Sequence, residues 1–60
     1  MNYIVMLFNS VVAFCQTEEQ ARALKPDLPG AAIYRATGIF DELEGSETVE
    51  IFGRNYVKLP

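Results

Sequence analysis

Two apolar runs open the chain. Tyr3-Ile-Val-Met-Leu-Phe8 and Val11-Val-Ala-Phe-Cys15 are rich in β-branched and aromatic residues, and Asn9-Ser10 separates them. Such runs around a turn-forming pair predict a β-hairpin, because asparagine tolerates the positive φ that a tight hairpin turn needs. Serine fits that turn less well than glycine, so a loop one or two residues longer is also compatible. In the two-residue period Ile4, Met6, Phe8, Val11, Ala13 and Cys15 share one face, and Tyr3, Val5, Leu7, Val12 and Phe14 share the other. Both faces are apolar, which implies that both are covered. The first hairpin has more apolar surface than one short helix can cover. Two outcomes follow: self-association through the second face, or coverage of that face by the C-terminal hairpin in a rolled sheet.

The pattern then changes period. Thr17 with Gln20 has the spacing of a capping box, and Glu18 and Glu19 suit the first turn of a helix. The helix is expected from about Glu18 to Lys25, with Pro26 as its stop and Ala21 and Leu24 as its inward residues. Asp27-Leu-Pro-Gly30 reads as a turn, and Ala31 to Thr37 as a strand that Gly38 bends before Ile39 and Phe40.

Val49-Glu-Ile-Phe52 and Tyr56-Val-Lys-Leu59 flank Gly53-Arg-Asn55, a second hairpin. A two-residue Gly53-Arg54 turn would set Glu50 opposite Val57. A three-residue loop with Asn55 left-handed would pair Val49 with Leu59, Glu50 with Lys58 and Ile51 with Val57. The second register joins apolar to apolar and opposite charges to each other, and is preferred on those grounds. The predicted fold is a single α+β domain over residues 1–60, one short helix on an antiparallel sheet, in the order ββαβββ.

Composition narrows what such a domain can do. The chain has 60 residues, one cysteine and no histidine or tryptophan. A chain of this size buries only ~60% of its unfolded surface. One cysteine closes no internal disulfide, and a single Cys without His makes no zinc site. Stability must then come from packing, within the chain or shared with a second one. A lone cysteine in an apolar run reads as a small buried hydrophobe and fits a reducing, cytoplasmic setting. The uncharged stretch Met1–Cys15 lacks the basic start and small-residue cleavage site of a secretion signal. Asn9-Ser10 interrupts it, and it is shorter than the ~20 residues of a membrane span. It reads as core.

Net charge is −3, and its distribution matters more than its size. Residues 1–16 carry none, and residues 17–40 balance three acids against three bases. Residues 41–60 hold Asp41, Glu42, Glu44, Glu47 and Glu50 against Arg54 and Lys58, so all of the imbalance lies there. Four uses of such a cluster can be weighed. It can solubilise an apolar domain. It can steer the chain to a basic partner. DNA phosphates rise ~3.4 Å apart along a strand and alternate β-residues such as Glu42 and Glu44 ~6.6 Å, so these carboxylates can imitate a phosphate backbone. A calcium loop counted from Asp41 fails, because Ser46 and Phe52 stand where Gly and Glu are required. Paired carboxylates for glycoside hydrolysis need a cleft that a chain this short seldom builds.

Other chemistry is poorly supplied. Ser10, Ser46 and Cys15 have no histidine to act as base. The four glycines are scattered at turns and form no phosphate loop. Five bases and a negative net charge disfavour direct nucleic-acid binding, and Tyr34, Phe52 and Tyr56 read as sheet-packing residues ahead of stacking platforms. No cofactor or metal is expected.

In size, acidity and the succession of a hairpin, Thr17-Glu-Glu-Gln-Ala21, Leu28-Pro-Gly30 and a strand, the chain resembles small phage-encoded inhibitors of host machinery, anti-CRISPR proteins among them. The likeness covers about half of the chain and is one of general architecture. It implies a protein without an active site that blocks a surface of a larger host protein, often one that binds DNA. The sequence expectation is accordingly a non-enzymatic inhibitor acting through Asp41, Glu42, Glu44, Glu47 and Glu50. The alternative is a structural or assembly module, a homodimer, working through the apolar hairpin face. Replacing Ser10, Ser46 and Cys15 together by alanine is expected to leave function intact, with some loss of stability at Cys15. A functional assay on the folded triple variant checks this.

Overall fold

The computed structural model describes residues 2–37 and 47–60. Strands β1 (Tyr3–Leu7) and β2 (Ser10–Cys15) form the first hairpin, followed by helix α1 (Glu18–Leu24) and a single 3-10 turn (Lys25–Asp27). Strands β3 (Ala32–Thr37), β4 (Thr48–Ile51) and β5 (Arg54–Lys58) complete the ββαβββ order. They make one five-stranded sheet, β2-β1-β3-β5-β4, antiparallel at every junction. The expected bend at Gly38 and the segment through Phe40 lie outside the described residues.

Local chemistry sets the helix. Thr17 has extended backbone angles and its hydroxyl accepts from the Gln20 amide at 3.2 Å. The Gln20 side-chain oxygen in return accepts from the amides of Thr17 (3.3 Å) and Gln16 (2.9 Å). Three backbone donors around the helix start are thereby satisfied. The α-helix ends at Leu24, one residue before the expected Lys25, because Pro26 sits at the start of the 3-10 turn that follows. Ala21 is fully buried and Leu24 half-buried, as the spacing predicts.

The sheet carries two apolar layers. Under the helix Val5, Cys15, Ala21, Ala31 and Ile33 are buried, with Tyr3, Leu7, Ala13, Leu24, Leu28 and Leu59 packed around them. On the opposite face Ile4, Met6, Tyr34 and Tyr56 are buried, flanked by Val11, Ala32, Ala36, Val49 and Ile51. No helix covers this second layer among the described residues, yet Ile4 is 0% exposed. Tyr56 of the C-terminal hairpin is buried in this layer, and Val49 and Ile51 pack against it. The face expected to need that hairpin, with Tyr3, Val5 and Leu7, lies under the helix instead. The contact between Phe14 of β2 and Phe52 beside β4 shows that the sheet curls: their ring centroids are 6.4 Å apart. In a flat sheet β2 and β4 would stand four strand spacings apart, ~19 Å. Twist and curl bring the two edges toward each other.

The first hairpin departs from the expected register. Its turn is Phe8-Asn9, not Asn9-Ser10, and both residues have positive φ (52° and 68°). That is the mirror-image turn whose twist matches the flanking strands. A bulge at Val12 then shifts the pairing, Val5 standing opposite Ala13 and Met6 opposite Val11. The consequence is a re-sorting of faces. Ala13 and Cys15 join Tyr3, Val5 and Leu7 under the helix, while Phe14, paired with Ile4, takes the other face and stays exposed. Small side chains thus face the helix and let it approach closely. The five residues expected to share one apolar face do not: Tyr3, Val5 and Leu7 lie under the helix, while Val12 and Phe14 are exposed.

The second hairpin differs as well. Its turn is Phe52-Gly53, again with positive φ at both residues (51° and 77°), and Val49 pairs with Tyr56, Glu50 with Asn55 and Ile51 with Arg54. The expected Glu50–Lys58 pairing does not form. A β-branched–aromatic pair in the buried layer outweighs an exposed ion pair, which contributes little. Lys58 instead meets Glu47, Nζ to carboxylate 3.7 Å.

Two stability measurements check this account. Thr17→Ala removes the cap and is expected to lower unfolding free energy by ~1 kcal/mol in urea denaturation. Phe8→Asn places a residue that tolerates the left-handed region at φ 52° and is expected to raise stability by roughly 0.5–1 kcal/mol.

Candidate partner-binding surface

Of the five carboxylates expected to form a binding surface, Glu47 and Glu50 can be placed; Asp41, Glu42 and Glu44 lie outside the described residues. Glu50 projects from β4, the edge strand, and is exposed. Glu47 precedes the same strand, and its backbone oxygen accepts from the Lys58 amide at 2.9 Å, extending the β4–β5 ladder by one bond. Its side chain meets Lys58 in an exposed pair, which leaves the carboxylate accessible. Both placed acids therefore sit along one edge of the sheet, on a strand with alternating exposed and half-buried residues. Edge position matters because side chains there are unobstructed on their outer flank.

At the turn end of the same edge is a feature that sequence reasoning missed. Phe52 is 90% exposed and Phe14 43% exposed, and their rings stack with an interplanar angle of 22°. Val12, at the bulge of the opposite edge strand β2, is also exposed. Phe8, at the other hairpin turn, is 87% exposed. β1 runs parallel to β5, since both are antiparallel to β3, so the two turns lie at opposite ends of the sheet. The aromatics divide cleanly. Tyr34 and Tyr56 are buried sheet-packing residues, as expected, whereas Phe52, grouped with them in the sequence, stands outside. The signal was its place directly before Gly53: an aromatic that leads a two-residue turn cannot reach either sheet face.

Phe52 also occupies an unfavourable backbone region. A bulky residue at φ 51° carries strain that glycine or asparagine would avoid. Packing does not account for it, because the ring is almost wholly in water. Arg54, two residues on, lies over the Tyr56 ring at 5.7 Å, which draws its charge toward the sheet.

Of the nucleophile candidates, Ser10 and Cys15 stand at opposite ends of β2, and Ser46 lies outside the described residues. Ser10 is exposed at the start of β2, opposite Leu7, and Cys15 is buried at the strand's other end opposite Tyr3. Cys15 is a core residue, as its apolar surroundings predict. Among the described residues no group of three or more acidic or cysteine side chains is placed to hold a metal ion. None of the helices among them is long and apolar enough to cross a membrane.

Exchanging Phe52 for alanine removes the stacked ring and is expected to leave the fold intact, with thermal stability changed by no more than the equivalent of ~1 kcal/mol. Circular dichroism melting checks it. Comparison with protein-family models, with curated proteins and with solved structures finds no match to this chain.

Proposed function

We propose that the chain is a non-enzymatic binding protein that docks on a basic surface of a larger protein and blocks it. The observation that carries this reading is Phe52. A phenylalanine held in a strained turn conformation, stacked on Phe14 and left in water, serves neither the core nor the turn. Strain retained at an exposed position is a reason to look for function there. Aromatic side chains are the commonest anchors of protein interfaces, and acidic groups at the rim add steering and specificity.

The anchor is next to the acidic part of the chain. Glu50 is two residues from Phe52, Glu47 opens the same strand, and Asp41, Glu42 and Glu44 precede them in sequence. The partner this suits has a basic groove flanked by an apolar spot, such as the nucleic-acid-binding surface of a host protein. The general likeness to small phage-encoded inhibitors agrees with that choice. On this reading the carboxylates stand where phosphates would stand, and the chain itself binds no nucleic acid.

A second reading, assembly of two copies, is favoured by the exposure of Val12 and Phe14 on the edge strand β2. The two readings respond differently to salt. A charge-steered complex weakens steeply as ionic strength rises, and an apolar one does not. Sedimentation equilibrium at low and high salt separates them.

The decisive experiment measures affinity for a partner recovered from the host and stability on the same variants. Glu→Gln at Glu42, Glu44 and Glu47 is expected to weaken binding progressively, and lysine at these sites to weaken it further. A buried interfacial charge pair costs about 2–5 kcal/mol when one member is lost, whereas exposed charges change folding by ~0–1 kcal/mol. Phe52→Asn is expected to weaken binding by about tenfold or more while holding or raising the melting temperature. Unchanged affinity in the triple Gln variant would remove the acidic-surface reading.

A further inference from the structure

Three of the chain's five bases come together at the end of α1 and the end of β5. A surface cavity of about 310 Å³ lies between the end of α1, the start of β3 and the end of β5. Arg22, Lys25 and Lys58 line it, three of the five bases in a chain of net charge −3. Among the described residues no carboxylate side chain lines it. Ala31 and Ile33, both buried, and half-buried Leu59 contribute apolar lining. We propose that this cavity is a binding site for a small phosphomonoester carrying an apolar or aromatic body.

The chemistry of the lining selects that class. Three bases in one lining, two of them holding exposed carboxylates that a ligand can displace, favour a dianion over a monoanion, and guanidinium and ammonium groups are the usual partners of phosphate. The volume is at the lower end of small-molecule sites, which fits a ligand of a single ring or short chain and excludes a folded partner. The apolar residues would bury the body of the ligand while the cations meet its phosphate.

The bases are not committed elsewhere in a way that forbids this. Arg22 Nε contacts Glu18 at 2.6 Å and Lys58 Nζ contacts Glu47 at 3.7 Å, but all four side chains are well exposed. Exposed pairs of this kind hold their members weakly and exchange readily. Lys25 makes no ion pair among the described residues. Bases in the last turn of a helix also oppose its negative end, which would account for Arg22 and Lys25. It would not account for Lys58, which comes from β5. The site is independent of the acidic edge, apart from sharing Lys58 with Glu47, so either can fail without the other.

Titration of the full, isotope-labelled chain with phenyl phosphate, followed by amide NMR, tests the site. Saturable shifts are expected at Ala31, Ala32, Ile33 and Leu59. Lys25→Gln and Lys58→Gln should each weaken binding about tenfold, the loss of one charge-assisted contact. Arg35→Gln removes the same charge from an exposed position on β3 outside the cavity and should leave affinity unchanged. Both lysines are exposed, so the variants keep the fold, and their amide spectra report it directly. Shifts that grow linearly without saturating, or an equal loss in Arg35→Gln, would overturn the site. Benzoate or inorganic phosphate binding as tightly as phenyl phosphate would overturn the ligand class.

Discussion

One seven-residue helix can cover one face of a five-stranded sheet and no more. Every other property of the fold follows from how the second face escapes water. That face carries Ile4, Met6, Tyr34 and Tyr56, too much apolar surface to leave open on a domain with so thin a core. The sheet solves this by curling. Val49, Ile51 and Tyr56 of the C-terminal hairpin extend the buried layer of β1 and β3, and the two edges meet where Phe14 stacks on Phe52. Among the described residues the second layer is made by the sheet itself.

Curling has local requirements, and the hairpins meet them. Both use two-residue turns with positive φ at each central residue, the geometry that continues a strongly twisted ribbon. The bulge at Val12 adds twist to β2 and turns Ala13 and Cys15 toward the helix. Two phenylalanines lead these turns, at Phe8 and Phe52, although asparagine or glycine would be less strained. Phe52 combines that strain with a ring 90% exposed and stacked on Phe14. The stack it makes with Phe14 is the apolar end of an edge whose exposed strand side chains, Thr48 and Glu50, are polar or acidic.

Charge is sorted by the same architecture. Of the five clustered carboxylates, Glu47 and Glu50 can be placed and lie along the β4 edge, while Arg22, Lys25 and Lys58 line the cavity at the end of α1, where Glu18 pairs with Arg22. Lys58 joins the two regions through its contact with Glu47.

The sequence by itself determined the elements, because their signals are local. Alternating β-branched runs, the Thr17–Gln20 cap, Pro26 and the glycines act over three or four residues, and they placed one helix and five strands in order. The burial of Cys15 and Ala21 was legible for the same reason. Register was not legible. Both faces of the first hairpin are apolar, so a one-residue slip exchanges one hydrophobic set for another at little cost, and a bulge settles the matter only in three dimensions. The order β2-β1-β3-β5-β4, the curl and the separation of buried Tyr34 and Tyr56 from exposed Phe14 and Phe52 also belong to the tertiary structure. So does the cavity, whose three bases come from positions 22, 25 and 58. Nothing in a linear pattern links those positions; only the packing of α1 beside the ends of β3 and β5 brings them together.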